Sequence, residues 1–251
     1  MIRALVLGLL LVQVKPLAAE QIVLGLSQDE VAITATFNGS DILIFGAVKR
    51  DGPVVAGSPL AVVITVSGPL APVTVRHKER RYGIWINTAF VDVDAAPSFY
   101  AVATTGPLSE VLSETEDLRN SISIPRAIRS VGAEVENSAD YTQALIRIRA
   151  GEGLYQVLEG AVDLEQQTLF RTQVALPANL VEGDYATRIF LTRDGQVVDS
   201  FETEIAVQKV GIERWLYNLS HDWPLGYGLL SLAIAIVAGW SASAAFQALR
   251  R

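Results

Sequence analysis

The chain has 251 residues, half of them hydrophobic, a formal net charge of −7 and no cysteine. The acidic balance argues against nucleic acid as a partner, which needs a basic surface. Without thiols there are no disulfides, no thiolate metal centres and no lipid attached at an N-terminal Cys, so the fold must rest on packing.

Residues 1–19 place Arg3 before the apolar run Ala4–Val12, then Lys15, Pro16 and the small pair Ala18–Ala19. That order of charge, apolar run and small residues is that of a secretory signal peptide. Cleavage is expected after Ala19, with an uncleaved anchor as the alternative. The body that follows is then exported.

Residues 20–106 read as short strands. Val31, Ile33, Ala35 and Phe37 alternate with Ala32, Thr34 and Thr36, the period of a half-buried strand. Asn38–Gly39 turns into Ile42–Val48, and Lys49–Pro53 is a further turn cluster. Leu60–Val66 is apolar and β-branched and stops at Gly68–Pro69. Val73–Arg76, Gly83–Asn87, Phe90–Val93 and Ser98–Thr104 supply more strands. Many short strands at this spacing predict a β-sandwich-like (Ig-like) domain, without the Cys…Trp…Cys framework.

Residues 107–153 predict a partly helical connector. Leu108, Val111, Leu112 and Leu118 lie among Glu and Ser, which suits a short helix with an acidic outer face. Ser138 can cap a second helix, in which Tyr141, Ala144, Leu145 and Ile148 share one face and Gly151 and Gly153 end it.

Residues 154–211 return to strands: Leu169–Leu176, Asp184–Arg193 and Gln196–Val207, the last two joined by Asp194–Gly195, a strong hairpin signal. They predict a second, smaller β domain. Ile212, Trp215, Leu216 and Leu219 then mark one apolar face over 212–222, suited to the membrane surface.

From 223 to 249 no Asp, Glu, Lys or Arg occurs. A run of about 20 apolar residues is long enough for a helix to cross a bilayer, and inside lipid the backbone must pair within the chain. Tyr217, Trp223, Tyr227 and Trp240 are placed as interfacial aromatics, and Arg250 and Arg251 follow the span. Retention of positive charge on the cytoplasmic side predicts a cytoplasmic end at 250–251.

Several stretches carry a resemblance: Arg76–Asn87, Ala96–Ala103, Leu169–Thr172 with Leu176–Asn179, and Val210–Tyr217 running into the span. In these the chain resembles an alphaproteobacterial transmembrane protein family of unassigned function. The resemblance implies a signal peptide, a β-rich periplasmic body and one C-terminal span in the bacterial inner membrane. It also implies an association with exporters of the sulfite or organosulfonate type. It brings no catalytic residues.

The residues themselves offer little chemistry. His77 and His221 are the two histidines and lie far apart in the chain. No metal site, cofactor site or nucleophile arrangement is expected. Asp92 and Asp94 share one strand face and could hold a cation, although a solvated face is the plainer reading. Asn38-Gly-Ser40 matches a glycosylation acceptor that the turn already explains. The better lead is Arg76, Lys78, Arg80 and Arg81, close to Trp85 and Asn87, which could bind a small oxyanion, an anionic headgroup or an acidic loop. The alternative is an edge where basic residues blunt strand pairing. In the span, Ser231, Ala235, Gly239 and Ser243 recur every four residues and could admit a neighbouring helix. The expectation is a non-catalytic single-pass protein whose partners are the lipid bilayer and a polytopic membrane transporter. The alternative is a membrane-anchored binding protein or enzyme.

Overall fold

The computed structural model describes residues 20–27, 30–33, 37–50, 58–129, 138–209 and 212–249. The expected signal peptide, the centre of the 31–37 alternation and the terminal arginines lie outside those residues. The chain is mainly β, with one candidate membrane helix towards its C-terminus.

The first elements are β1 (Glu20–Leu26), β2 (Glu30–Ile33), β3 (Ser40–Arg50), β4 (Leu60–Ser67), β5 (Leu70–Arg81), β6 (Ile84–Pro97) and β7 (Tyr100–Thr104). The short helices α1 (Leu108–Val111), α2 (Glu114–Asn120) and α3 (Ile124–Ala127) follow, then α4 (Ser138–Gly151). The strands β8 (Tyr155–Leu158), β9 (Asp163–Glu165), β10 (Leu169–Leu176), β11 (Gly183–Arg193) and β12 (Gln196–Lys209) complete the body, and α5 (Ile212–Asp222) leads into α6 (Pro224–Leu249).

Two larger sheets form, in the orders β1-β3-β10-β9 and β2-β12-β11-β4-β7-β8. Their strands come from both sides of the helical connector. β10 pairs antiparallel with β3, Ile44 opposite Thr172, and β11 pairs antiparallel with β4, Ile64 opposite Ile189. The expected division into one β unit at 20–106 and another at 154–211 is therefore corrected: the two segments are interleaved. The physical reason lies in β4. Val62, Val63, Ile64, Thr65 and Val66 are all buried in succession, so this strand needs cover on both faces and a partner on each edge. β7 supplies one edge and β11 the other. A segment of about 60 residues buries only about 60% of the surface its unfolded chain exposes, so a core of its own would be marginal.

Both sheets contribute to one apolar core, with Ile42, Ile44, Phe170 and Val174 from the first and Ile64, Ile189, Ile205 and Val207 from the second. β10 shows the cause: Phe170, Thr172, Val174 and Leu176 point inward while the residues between them face solvent.

The connector holds three short helices before α4 rather than the single helix expected near Pro107–Asn120. Ser113 and Glu116 form a Ser-x-x-Glu start, and Ser113 Oγ accepts from the Glu116 N–H. In α4 only part of the expected face is covered: Leu145 is buried, Tyr141 and Ala144 are half-buried, and Ile148 is exposed.

Among the described residues β5 and β6 form a two-stranded sheet of their own, joined to the rest by one bridge, Ala95 to Arg129. The three short strands expected between Val73 and Val93 are thus two long ones, and the turn between them is Tyr82–Gly83, both with positive φ, at 51° and 86°.

Candidate functional site

The β5–β6 hairpin has a buried root and a bare tip. At the root Val75, Val91, Val93 and Ala96 enter the core, and Ala95 exchanges backbone hydrogen bonds with Arg129, at 3.1 and 2.8 Å. Beyond Arg76 and Phe90 the side chains are exposed apart from the half-buried Glu79.

The register sorts the expected site residues by face, because side chains directly opposite each other share one face. Arg80 lies opposite Trp85, Lys78 opposite Asn87 and Arg76 opposite Phe90. Five of the six residues expected at the site therefore stand together on one face of the sheet, with Phe90 added. A break in register between His77 and Lys78 leaves Thr88 as the extra residue. Arg81 lies opposite Ile84, on the other face with His77 and Glu79. There Arg81 donates to Glu79 Oε2 from Nη2 at 3.1 Å, and His77 Nε2 lies 3.8 Å from Glu79 Oε1. Among the described residues Arg76, Lys78 and Arg80 form no ion pair.

Behind the cations, Thr74 Oγ1 donates to Asp92 Oδ1 at 2.6 Å. A shallow depression of about 470 Å³ opens between Thr74, Arg76, Asn87, Phe90 and Asp92. Asp92 is thus engaged by a neighbouring hydroxyl, and no group of three or more His, Cys, Asp or Glu able to hold a metal occurs among the described residues.

Tyr82, Ile84 and Ile86 share this exposed tip, and the sequence reading did not single them out. Tyr82 is fully exposed at the turn, and Ile84 and Trp85 are 64% and 68% exposed. In sequence such residues look like core strand positions; the signal against that was Gly83 in the middle of the run.

The buried charges elsewhere are structural. Glu116 accepts from Arg119 and from Asn120 Nδ2, and Asp117 accepts from the Ile122 and Ser123 N–H groups at the start of α3. Arg188 of β11 donates to the Asn120 and Ser121 carbonyls at the end of α2, where the helix dipole favours a cation. Glu20 bridges Arg50 and Arg193. Burial alone would raise its pKa, but hydrogen bonds and charge from Arg50 and Arg193 outweigh that and hold it below the usual value. His221 sits against Tyr217, their rings 4.1 Å apart, remote in sequence from His77.

α6 has no cover. Its apolar window, Pro224–Ser243, has 20 residues with a mean hydropathy of 1.7 and is 0% buried. At 1.5 Å per residue that is about 30 Å, the thickness of a bilayer's hydrocarbon. Ser231, Ala235, Gly239 and Ser243 are all exposed along it, and a Cβ added at Gly239 would meet nothing within 4 Å. α5 places Trp215 and Tyr217 in the open, with Leu216 and Leu219 half-covered.

A bare apolar helix of bilayer length agrees with the comparison to known proteins. The family described as "Putative transmembrane protein (Alph_Pro_TM)" matches residues 21–248. The chain belongs to this family. The match runs from β1 into α6, so it covers both the β body and the candidate membrane helix. No curated protein matches the chain.

Proposed function

We propose that the chain is a non-catalytic, single-pass accessory subunit, with its β body held at the periplasmic face of the inner membrane and its span docked on a polytopic transporter. The observation that carries the reading is the state of α6: a helix of bilayer length, uncovered by the rest of the chain, with small side chains recurring at Ser231, Ala235, Gly239 and Ser243. Small residues let a second helix approach closely, so that backbone packing and weak polar contacts drive association in lipid. The structural employment of Glu116, Asp117 and Glu20 supports a body built to hold shape rather than to react. The orientation rests on Arg250 and Arg251. The sulfite or organosulfonate exporter as partner rests on the family resemblance alone.

The test is site-specific photo-crosslinking in native membranes. A crosslinker at Ala235 captures one multi-span protein in stoichiometric yield, one at Val237 on the far side captures lipid, and Gly239→Leu abolishes the protein adduct. Capture of lipid alone from both positions refutes the docked span. A reporter fused after Arg251 is active only in the cytoplasm if the orientation holds.

A further inference from the structure

We propose that the tip of the β5–β6 hairpin docks into the headgroup layer of an anionic bilayer, giving the chain a second membrane contact besides α6. Three features converge on a lipid surface.

The first is the distribution of apolar side chains around the tip. Trp85 stands on one face, Ile84 and Ile86 on the other, and Tyr82 at the turn itself. A protein partner laid against a two-stranded ribbon covers one face. A layer that the ribbon enters end-on surrounds both. Tyr and Trp in particular prefer the headgroup region, where an apolar ring and a polar edge are both satisfied.

The second is the order along the hairpin. The apolar tip comes first, and Arg80, Lys78 and Arg76 follow at successive steps down one face, reaching about 20 Å behind the turn at roughly 3.3 Å per residue. From Arg76 to Phe90 the chain carries four cations against one carboxylate, Glu79, in a protein of net charge −7. With Glu79 held by Arg81 on the opposite face, Arg76, Lys78 and Arg80 are left to meet lipid phosphates. Spaced two residues apart along an open strand face, these cations suit several phosphates in a plane better than one small ion.

The third is the tether. A chain anchored by α6 keeps its body beside a bilayer, so the docking is intramolecular and needs little intrinsic affinity. Apart from the Ala95–Arg129 bridge at the root, the outer edges of both strands have no ladder partner among the described residues, and unpaired backbone groups are costly in hydrocarbon. The tip therefore stops in the interface and does not span.

This inference does not depend on the transporter proposed above, and its test needs no partner. The chain has no native cysteine, so Ile84→Cys gives a single labelling position on the tip. The full-length protein, carrying an environment-sensitive fluorophore there, is placed in nanodiscs of phosphatidylcholine alone or with phosphatidylglycerol. The expected result is blue-shifted emission and quenching by a lipid-borne spin label, in the phosphatidylglycerol discs only, reversed by high salt. Each surface cation is worth about fivefold in partitioning, so neutralising Arg76, Lys78 and Arg80 to Gln lowers the docked-to-undocked ratio by roughly a hundredfold. Replacing Tyr82 and Trp85 with Ser, which leaves the charges intact, also weakens docking. A tip that stays water-exposed in both discs overturns the proposal. So does protection that requires an added multi-span protein and escapes the lipid-borne quencher. Saturable binding of free sulfate, sulfite or phosphate at the tip, without lipid quenching, overturns it in favour of a small-ion site.

Discussion

The body and the projection each contain a hairpin built on the same two-residue turn, and their fates are opposite. β11 and β12 join at Asp194–Gly195, with φ of 51° and 75°; β5 and β6 join at Tyr82–Gly83, with φ of 51° and 86°. In the first, the Ser113 N–H donates to the Gly195 carbonyl at 2.9 Å, and the strands behind the turn bury Ile189, Leu191 and Ile205. In the second, nothing lies within 4 Å of where a Gly83 Cβ would stand, and the apolar side chains behind it are bare. Turn chemistry makes a hairpin; what the strands meet decides its use. Apolar area spent on packing makes a scaffold, and apolar area left exposed beside unpaired cations makes a contact surface.

The widest separation between the two is expected from truncating one isoleucine in each. Ile189→Ala in the buried hairpin costs about 2–5 kcal/mol of stability, whereas Ile84→Ala on the tip changes it by less than about 0.5 kcal/mol. Denaturant unfolding of the full chain in detergent, read by near-ultraviolet circular dichroism, measures both. Comparable losses would show that the tip is packed after all.

Ion pairs sharpen the contrast next. Arg193 and Glu20 are 13% and 10% exposed at their side chains, while Arg81 and Glu79 are 59% and 43% exposed. Arg193→Ala is expected to cost about 1–3 kcal/mol, and Arg81→Ala about 0–1 kcal/mol. The depressed Glu20 pKa fixes the sign of the pH dependence. The stability it contributes is present above its unfolded value of 4.5 and is lost as pH falls below that towards the folded value. An acid titration of Glu20→Gln should show a flatter fall in stability below pH 4.5 than the parent.

Smaller effects come from the turns. Alanine in a left-handed conformation costs about 1–2 kcal/mol, a cost shared by Gly195→Ala and Gly83→Ala. Only at Gly195 does the new methyl meet a neighbour, the Ser113 nitrogen at 3.2 Å, so Gly195→Ala should melt at the lower temperature. Smallest near neutrality, and visible only in alkali, is the phenol of Tyr155. Burial pushes it up to about 12, and its hydroxyl donates to the Pro97 carbonyl at 2.8 Å. Its stabilising effect is complete below the ordinary value of 10 and is lost as pH rises towards 12. Burial also raises Tyr100 and Tyr185, so ultraviolet titration should show several phenols ionising late, and Tyr155→Phe should reduce that late amplitude by one phenol.

Much of the framework was legible because burial imposes a period. β10 alternates cleanly, β4 is apolar or β-branched from Leu60 to Val66, Asp-Gly marks its hairpin, and α6 announces itself by length and lack of charge. Pairing partners were not legible. A strand's pattern gives the face it buries and is silent on which neighbour accepts its hydrogen bonds, so β3 with β10 and β4 with β11 could not be read off. The tip was half legible for the complementary reason. With both faces in solvent, 76–87 has no apolar period, and the charges stood out while Ile84 and Ile86 were read only as strand residues and Tyr82 was not singled out. Arg81 was grouped with the other cations by sequence proximity, but alternation puts it on the opposite face.

The interleaved pairing also sets an order of events during synthesis. β3 and β4 appear early in the chain, and each waits for a partner that comes about half a chain later, with β12 ending at Lys209 just ahead of the span that begins at Pro224. Closure of the sheets and delivery of the anchor to lipid therefore fall within the same short interval. Until then the nascent body is a set of open β edges dominated by distant contacts, the kind of topology that folds on the order of milliseconds to seconds and is vulnerable to aggregation meanwhile. A factor that holds unfinished strands apart would act on this protein before its last hairpin exists, not after.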